Sequence, residues 1–128
     1  MAQTHVPKIL VVDDEKVIRD LTQAFLMVNG YEVDTAENGK EAFDKLLNNS
    51  FDVVITDLKM PLMGGMELLE KLSNINVNAV TIVLTGCSVN QSDFSRKPFA
   101  HLRKPFSHNQ LIQVVQDGLK TQRAQQKN

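Results

Sequence analysis

Short apolar runs along the chain predict its β-strands. The runs at 8–12, 51–56 and 79–84 are rich in Val, Ile and Leu and have the length of buried strands. A shorter run lies at 100–103, and the residues at 31–35 alternate between apolar and polar as in a half-buried strand. Five strands are therefore predicted.

Between most of these runs, apolar residues recur at helical spacing. The pair 29–30 supplies a helix stop, and the spacings from Asn38 to Glu41 and from Ser107 to Gln110 are those of capping boxes. The apolar positions are Val17, Ile18, Leu21, Ala24, Phe25 and Val28 in the first predicted helix, Ala42, Phe43, Leu46 and Leu47 in the second, Met66, Leu68, Leu69 and Leu72 in the third, and Leu111, Ile112, Val114, Val115 and Leu119 in the last.

This alternation of strands and helices predicts an α/β fold, with a doubly wound, mostly parallel five-stranded sheet between helices. The stretch 86–103 is short for the two loops, the helix and the fifth strand that it must hold, and Pro98 interrupts it. The fourth helix, between about Ser88 and Lys97, is therefore expected to be short or irregular.

The chain has 128 residues, which is the size of one domain. That domain is expected to span 8–120, after a lead-in at 1–7 and before a polar tail at 121–128 that is expected to fray. Cys87 is the only cysteine, so the chain cannot form an internal disulfide, and a reducing environment is expected.

The charge and hydropathy patterns exclude some classes of partner. Fourteen Lys and Arg against fifteen Asp and Glu give a net charge of -1, which argues against a domain that binds nucleic acid directly. No apolar run approaches the roughly 18 residues of a membrane span, and the start has no signal-peptide pattern. The predicted location is the cytoplasm, without membrane contact.

Polar residues follow four of the predicted strands directly. Asp13 and Asp14 follow the first, Asp57 the third, Thr85 the fourth and Lys104 the fifth. Ligands in open α/β sheets bind beyond the carboxyl ends of the strands. These five residues are therefore predicted to share one site.

The chemistry of this set points to phosphoryl transfer. A carboxylate attacks a phosphoryl group poorly unless a cation such as Mg²⁺ removes the repulsion between the anions. Asp13, Asp14 and Asp57 offer the oxygen ligands that Mg²⁺ prefers. Lys104 and Thr85 would then neutralise and hydrogen-bond the phosphoryl oxygens.

Four motifs in order carry a family resemblance. The acidic opening at 9–15, the loop at 57–65, Leu84-Thr85-Gly86 and Lys104-Pro105-Phe106 are similar to the signatures of the receiver domains of bacterial response regulators. The resemblance covers about 8–119. It implies a flavodoxin-like parallel sheet with the strand order 2-1-3-4-5 and a cis Lys104–Pro105 bond.

The resemblance also implies a role for each site residue. Asp57 would accept phosphate from a histidine kinase or a histidine phosphotransfer protein. Mg²⁺ would bind Asp14 and Asp57 directly, Asp13 through water, and the backbone carbonyl of Lys59. Thr85 and Lys104 would then bind the phosphoryl group.

Other residues are expected to tune or transmit the signal. Lys59 and Cys87 lie two residues past Asp57 and Thr85, where side chains would affect the lifetime of the phosphorylated state. His101 stands where the family usually has an aromatic switch residue, and the segment before Lys104 is about three residues shorter than is common. The region 86–120 is expected to contact a downstream protein target.

Simpler interpretations exist for each residue alone. Asp13 and Asp14 would suit a helix N-cap, Thr85 an ordinary strand end, and Lys104 a solvated loop. No metal-binding role is expected for the three histidines, which lack partners at ligand spacing.

Two other functions remain open. One is a receiver-like adaptor whose interactions do not depend on phosphorylation. The other is a phosphatase with an aspartyl nucleophile, although that class usually has a second Asp two residues later, where this chain has Lys59. The prediction is a signalling switch, with no separate catalytic output.

Overall fold

The structure is a computed structural model that describes residues 5–58, 60, 62–75, 78–86 and 98–126, with side chains described up to residue 122. The elements along the chain are β1 (Lys8–Val12), α1 (Lys16–Val28), β2 (Glu32–Ala36), α2 (Gly39–Asn48), β3 (Val53–Asp57), α3 (Gly65–Leu72), β4 (Val80–Thr85), β5 (Ala100–Arg103) and α4 (His108–Gln126).

The five strands form one parallel sheet in the order β2-β1-β3-β4-β5, which confirms the predicted class and topology. Asp57 at the end of β3 pairs with Leu84, and Thr85 at the end of β4 pairs with Arg103. This register brings the carboxyl ends of the central strands to one edge of the sheet. The site residues predicted at those ends are therefore neighbours.

Alternation along the strands divides the core into two layers. Successive side chains of a strand point to opposite faces, so Ile9 and Val11 of β1 pack with Leu26 of α1 and Leu111 of α4 on one face. On the other face, alternate strand residues pack against α2 and α3. Because helices cover both faces of the sheet, the central strands are continuous apolar runs in the sequence.

Two of the predicted helix starts have the expected capping bonds. The side chain of Asn38 accepts a hydrogen bond of 2.8 Å from the backbone N–H of Glu41. Ser107 and Gln110 form a reciprocal box, in which each side chain accepts from the other's backbone N–H, at 3.0 and 2.8 Å. Both α2 and α4 therefore begin where their sequences predict.

The polar tail, which was expected to fray, is helical as far as Gln126, the last residue of α4. The buried side chain of Gln122 explains the difference. Its amide donates to the backbone carbonyls of Asp52 and Asn78, at 3.2 and 3.3 Å. These bonds fasten the end of α4 to the amino edge of the sheet.

Some predictions lie outside the described residues. They are the short fourth helix between Ser88 and Lys97 and the placements of Lys59 and Cys87. Within the described residues, no helix combines the length and apolar character that crossing a membrane requires.

Candidate functional site

The five predicted site residues meet at the carboxyl edge of the sheet. Asp14, Asp57, Thr85 and Lys104 line one cleft of about 440 Å³, and Asp13 lies buried beneath it. A water molecule takes about 30 Å³ of liquid volume. The cleft therefore has room for a phosphoryl group together with several waters.

Hydrogen bonds from three parts of the chain hold Asp13 in place. Its side chain is fully buried and accepts a 3.0 Å hydrogen bond from the backbone N–H of Glu15. Its carbonyl accepts from Arg19 at 2.8 Å, and its own N–H donates to Ala36 at 3.1 Å. The N-cap of α1 is Glu15, so the helix-cap interpretation of Asp13 and Asp14 does not hold.

Lys104 links the carboxylates of the site. Its ammonium nitrogen lies 3.1 Å from Asp13 Oδ2, 3.3 Å from Asp57 Oδ2 and 3.5 Å from Glu15 Oε1. Its backbone N–H donates to the carbonyl of Thr85 at 2.7 Å. The Lys104–Pro105 bond is cis, as predicted.

Both carboxylate oxygens of Asp57 have contacts. Oδ1 accepts a 2.8 Å hydrogen bond from the N–H of Leu58, and Oδ2 faces Lys104. The start of α3 closes over the same strand end, where a Cβ on Gly65 would lie 2.3 Å from the Asp57 carbonyl oxygen. Glycine at position 65 therefore lets α3 begin directly against the end of β3.

Burial and charge shift the two central pKa values. Burial and the charge of Asp13 hold the pKa of Asp57 above its ordinary value, although Lys104 opposes them. Burial alone would lower the pKa of Lys104, but its hydrogen bonds and charge pairing with Asp13 and Asp57 raise it. The lysine is therefore a fixed cation in the cleft.

The acidic cluster of Asp13, Asp14 and Asp57 suits a divalent cation. One carboxylate oxygen from each lies within 4.8 Å of the others. Ionised, these three residues carry three negative charges, of which Lys104 balances one. Hard oxygen donors with two uncompensated charges match the preference of Mg²⁺.

Thr85 and His101 differ in their exposure to solvent. Thr85 is buried at the end of β4 and lines the cleft, whereas His101 is exposed on β5. Glu15 and Gly65 were not assigned roles from the sequence. The acidic run 13–15 contained a signal for Glu15, and the glycine pair 64–65 one for close packing of the loop.

Comparison with known sequences points to one family. A family model described as the response regulator receiver domain matches residues 9–116. Response regulator MprA of Mycobacterium sp. (strain KMS) is 35% identical over 103 residues, which cover 73% of this chain and 45% of that protein. Transcriptional regulatory protein ResD of Bacillus subtilis (strain 168) is 36% identical over 115 residues, which cover 88% and 48%. The chain spans about half the length of these curated relatives.

Solved structures agree with the fold. A receiver domain protein (CheY-like) from Methanospirillum hungatei JF-1 aligns with a TM-score of 0.88 and 32% identity, over 94% of this chain and 99% of that chain. Chemotaxis response regulator CheY4 of Vibrio cholerae aligns with a TM-score of 0.76 and 30% identity, over 90% and 100%. The similarity therefore extends over nearly the whole of these single-domain structures.

Proposed function

The chain belongs to the response regulator receiver domain family of two-component systems, and on that premise we propose that Asp57 accepts phosphate with the help of Mg²⁺. The donor is a histidine kinase or a histidine phosphotransfer protein. The observation that supports this most directly is the Lys104 ammonium, 3.3 Å from Asp57 Oδ2 at the edge of the acidic cluster.

The proposed transfer moves the phosphoryl group from the donor imidazole to Asp57. One carboxylate oxygen of Asp57 forms a bond to phosphorus, the P–N bond to the donor imidazole breaks, and its electron pair stays on that nitrogen. Lys104 and Thr85 then face the new phosphoryl oxygens. Asp14 and Asp57, Asp13 through water, and the carbonyl of Lys59 would hold Mg²⁺. The bound ion would reduce the repulsion between the anions.

Transmission of the signal follows from the same residues. The backbone N–H of Lys104, directly after β5, donates to the carbonyl of Thr85 at the end of β4, so a phosphoryl group that moves either residue acts on both strands. We propose that the change passes to the exposed His101 and to a protein target through 86–120. Chemical shift changes confined to the cleft, when beryllofluoride mimics the phosphoryl group, would contradict this route.

Two finer assignments complete the proposal. Lys59 and Cys87 tune the lifetime of the phosphorylated state, for which the hydrolysis rate of a Lys59→Ala variant is the test. The domain works in the cytoplasm and contacts protein rather than nucleic acid directly. The name of ResD concerns transcriptional regulation, so DNA binding by the isolated chain should be measured; binding would overturn this assignment.

The proposed phosphoacceptor can be tested with acetyl phosphate and Mg²⁺. Intact-mass measurement should show a single added phosphate on the unmodified chain, none on Asp57→Asn and much less on Asp14→Asn. Asp44→Asn, an exposed residue of α2, is the matched control and should be labelled normally. Full labelling of Asp57→Asn would refute the assignment, and an unlabelled wild-type chain would favour the phosphorylation-independent adaptor.

A further inference from the structure

Three carboxylates share the ammonium of Lys104, and one of them, Glu15, has no role in the proposed transfer. Its Oε1 lies 3.5 Å from Lys104 Nζ. The three carboxylates differ in exposure: the side chain of Asp13 is 0% exposed, that of Asp57 13% and that of Glu15 64%. Glu15 is therefore the partner with the most freedom to leave.

The backbone of Glu15 is fixed although its side chain is exposed. Its N–H donates to Asp13 Oδ1 at 3.0 Å, and its carbonyl accepts from the N–H of Arg19 at 2.9 Å. Glu15 is the N-cap of α1, a position from which Ser, Thr, Asp or Asn side chains ordinarily accept a hydrogen bond from the first helical turn. It makes no such bond and extends instead to the lysine at the wall of the cleft.

We propose that Glu15 is a positioning residue for Lys104. Its carboxylate holds the ammonium at the mouth of the cleft while Asp57 is unmodified, and releases it when a phosphoryl group arrives. This inference rests on the proposed phosphorylation of Asp57. It assigns a role to a residue outside the predicted phosphoacceptor, metal and switch set.

The physical argument is competition for one cation. A phosphoryl group adds up to about two negative charges and three acceptor oxygens, whereas an exposed ion pair is weak because water screens it. The buried Asp13 keeps its contact throughout. Of the remaining contacts, that with Glu15 is the one that a phosphoryl group can displace at low cost.

The competition predicts that loss of the Glu15 charge strengthens binding of a phosphoryl mimic. With saturating Mg²⁺, Glu15→Gln should bind beryllofluoride about two- to fivefold more tightly than wild type, the range that an exposed ion pair supports. Glu37→Gln is the matched control, since Glu37 is an exposed glutamate just after β2 at the same edge of the sheet. It should change the affinity little.

A double-mutant cycle separates positioning from simple repulsion. In a Lys104→Ala background, Glu15→Gln should no longer tighten beryllofluoride binding, because the lysine through which Glu15 acts is absent. If the same gain persists there, Glu15 acts only as a charge at the mouth, and the positioning role is overturned. No gain in the wild-type background overturns it as well.

A second measurement does not depend on phosphorylation. NMR of the Lys104 side-chain methylene next to the ammonium, in the unmodified protein, should show a shift for Glu15→Gln and none for Glu37→Gln. An unchanged Lys104 signal in both variants would overturn the contact itself. Failure of Asp57 to take up phosphate would instead refute the proposed function and leave this test of the contact intact.

Discussion

A methyl group added at Gly65 would lie 2.3 Å from the carbonyl oxygen of Asp57, closer than non-bonded atoms approach. The N–H of Gly65 also donates to the carbonyl of Leu58 at 2.9 Å. Both contacts are with backbone atoms, which cannot rotate away. At the scale of single residues, this glycine sets how closely α3 packs against the end of β3.

Gly65→Ala should therefore lower the free energy of unfolding by about 2–3 kcal/mol, in the upper range for overpacked sites. It should also slow phosphate uptake, because the end of β3 must move. Gly86→Ala is the matched control: its added Cβ would meet no atom within 4 Å among the described residues, so its stability should stay near wild type. Thermal unfolding by circular dichroism measures the stability of both variants, and equal stabilities would contradict the packing argument.

The sequence located most residues of the site but not all of their contacts. Asp57, Thr85 and Lys104 were predictable because a strand end is a local feature and parallel strands share an edge. The contact of Glu15 with Lys104 was not, because it joins an exposed side chain to a residue far along the chain. Such a pairing depends on how β1 and β5 are placed in the folded sheet.

At the scale of elements, α1 has an apolar stripe on its solvent side. Its members Val17, Leu21, Ala24 and Val28 are all exposed, Val17 and Val28 by more than three quarters. The opposite side of the helix, with Thr22 and Leu26 buried, packs on the core. Spacing predicted the helix correctly, but periodicity alone does not tell which of two apolar faces is covered.

The α1 stripe begins two residues after Glu15, which lines the cleft. We expect a protein donor that places phosphohistidine over Asp57 to make apolar contacts with this stripe. Replacing Val17 and Leu21 with Gln together should reduce transfer from a histidine phosphotransfer protein at least tenfold, because fully burying a Val or Leu side chain is worth about 1.5–3 kcal/mol. Uptake from acetyl phosphate should stay within twofold.

Leu47→Gln supplies the control, since Leu47 is an exposed apolar residue of α2 away from the stripe. It should affect neither reaction. Equal losses with the protein donor and with acetyl phosphate would show damage to the site rather than to docking. Unchanged transfer from the protein donor would place docking elsewhere.

Element boundaries show what local sequence encodes. The strands β1 and β5 have the predicted bounds, because apolar runs and turns are local signals. The tail was predicted to fray from its polar composition, yet Gln122 is buried by bonds to carbonyls 70 and 44 residues away. Composition carries no record of such long-range bonds, and the end of α4 was missed for that reason.

On the scale of the whole molecule, the two edges of the sheet have different roles. At the amino edge, the carboxylate of Asp52 accepts from the N–H of Lys8 at 2.9 Å and lies 3.0 Å from His5. Its backbone carbonyl accepts from Val80 and Gln122. These bonds fasten strands and helix together there, whereas the carboxyl edge gathers the like charges of Asp13, Asp14 and Asp57.

That concentration of charge predicts that the stability of the fold depends on pH and on a divalent metal ion. The pKa of Asp57 is raised in the fold by burial and by the charge of Asp13. A raised carboxyl pKa means that the folded protein holds this proton more tightly than the unfolded chain. As pH rises above the ordinary value of 3.8, ionisation of Asp57 therefore lowers the free energy of unfolding.

Asp57→Asn should accordingly raise the melting temperature at pH 7 in a buffer with a metal chelator, and this gain should disappear as pH falls below about 4. With saturating Mg²⁺, wild type should instead melt at the higher temperature. The ion at 100 times its Kd stabilises the folded wild type by about 2.7 kcal/mol, whereas the variant lacks one of the carboxylates that bind it. Asp44→Asn should follow wild type in both buffers. A less stable Asp57→Asn in chelator would show that the Lys104 contact outweighs burial, and an absent Mg²⁺ effect on wild type would remove the metal from the site.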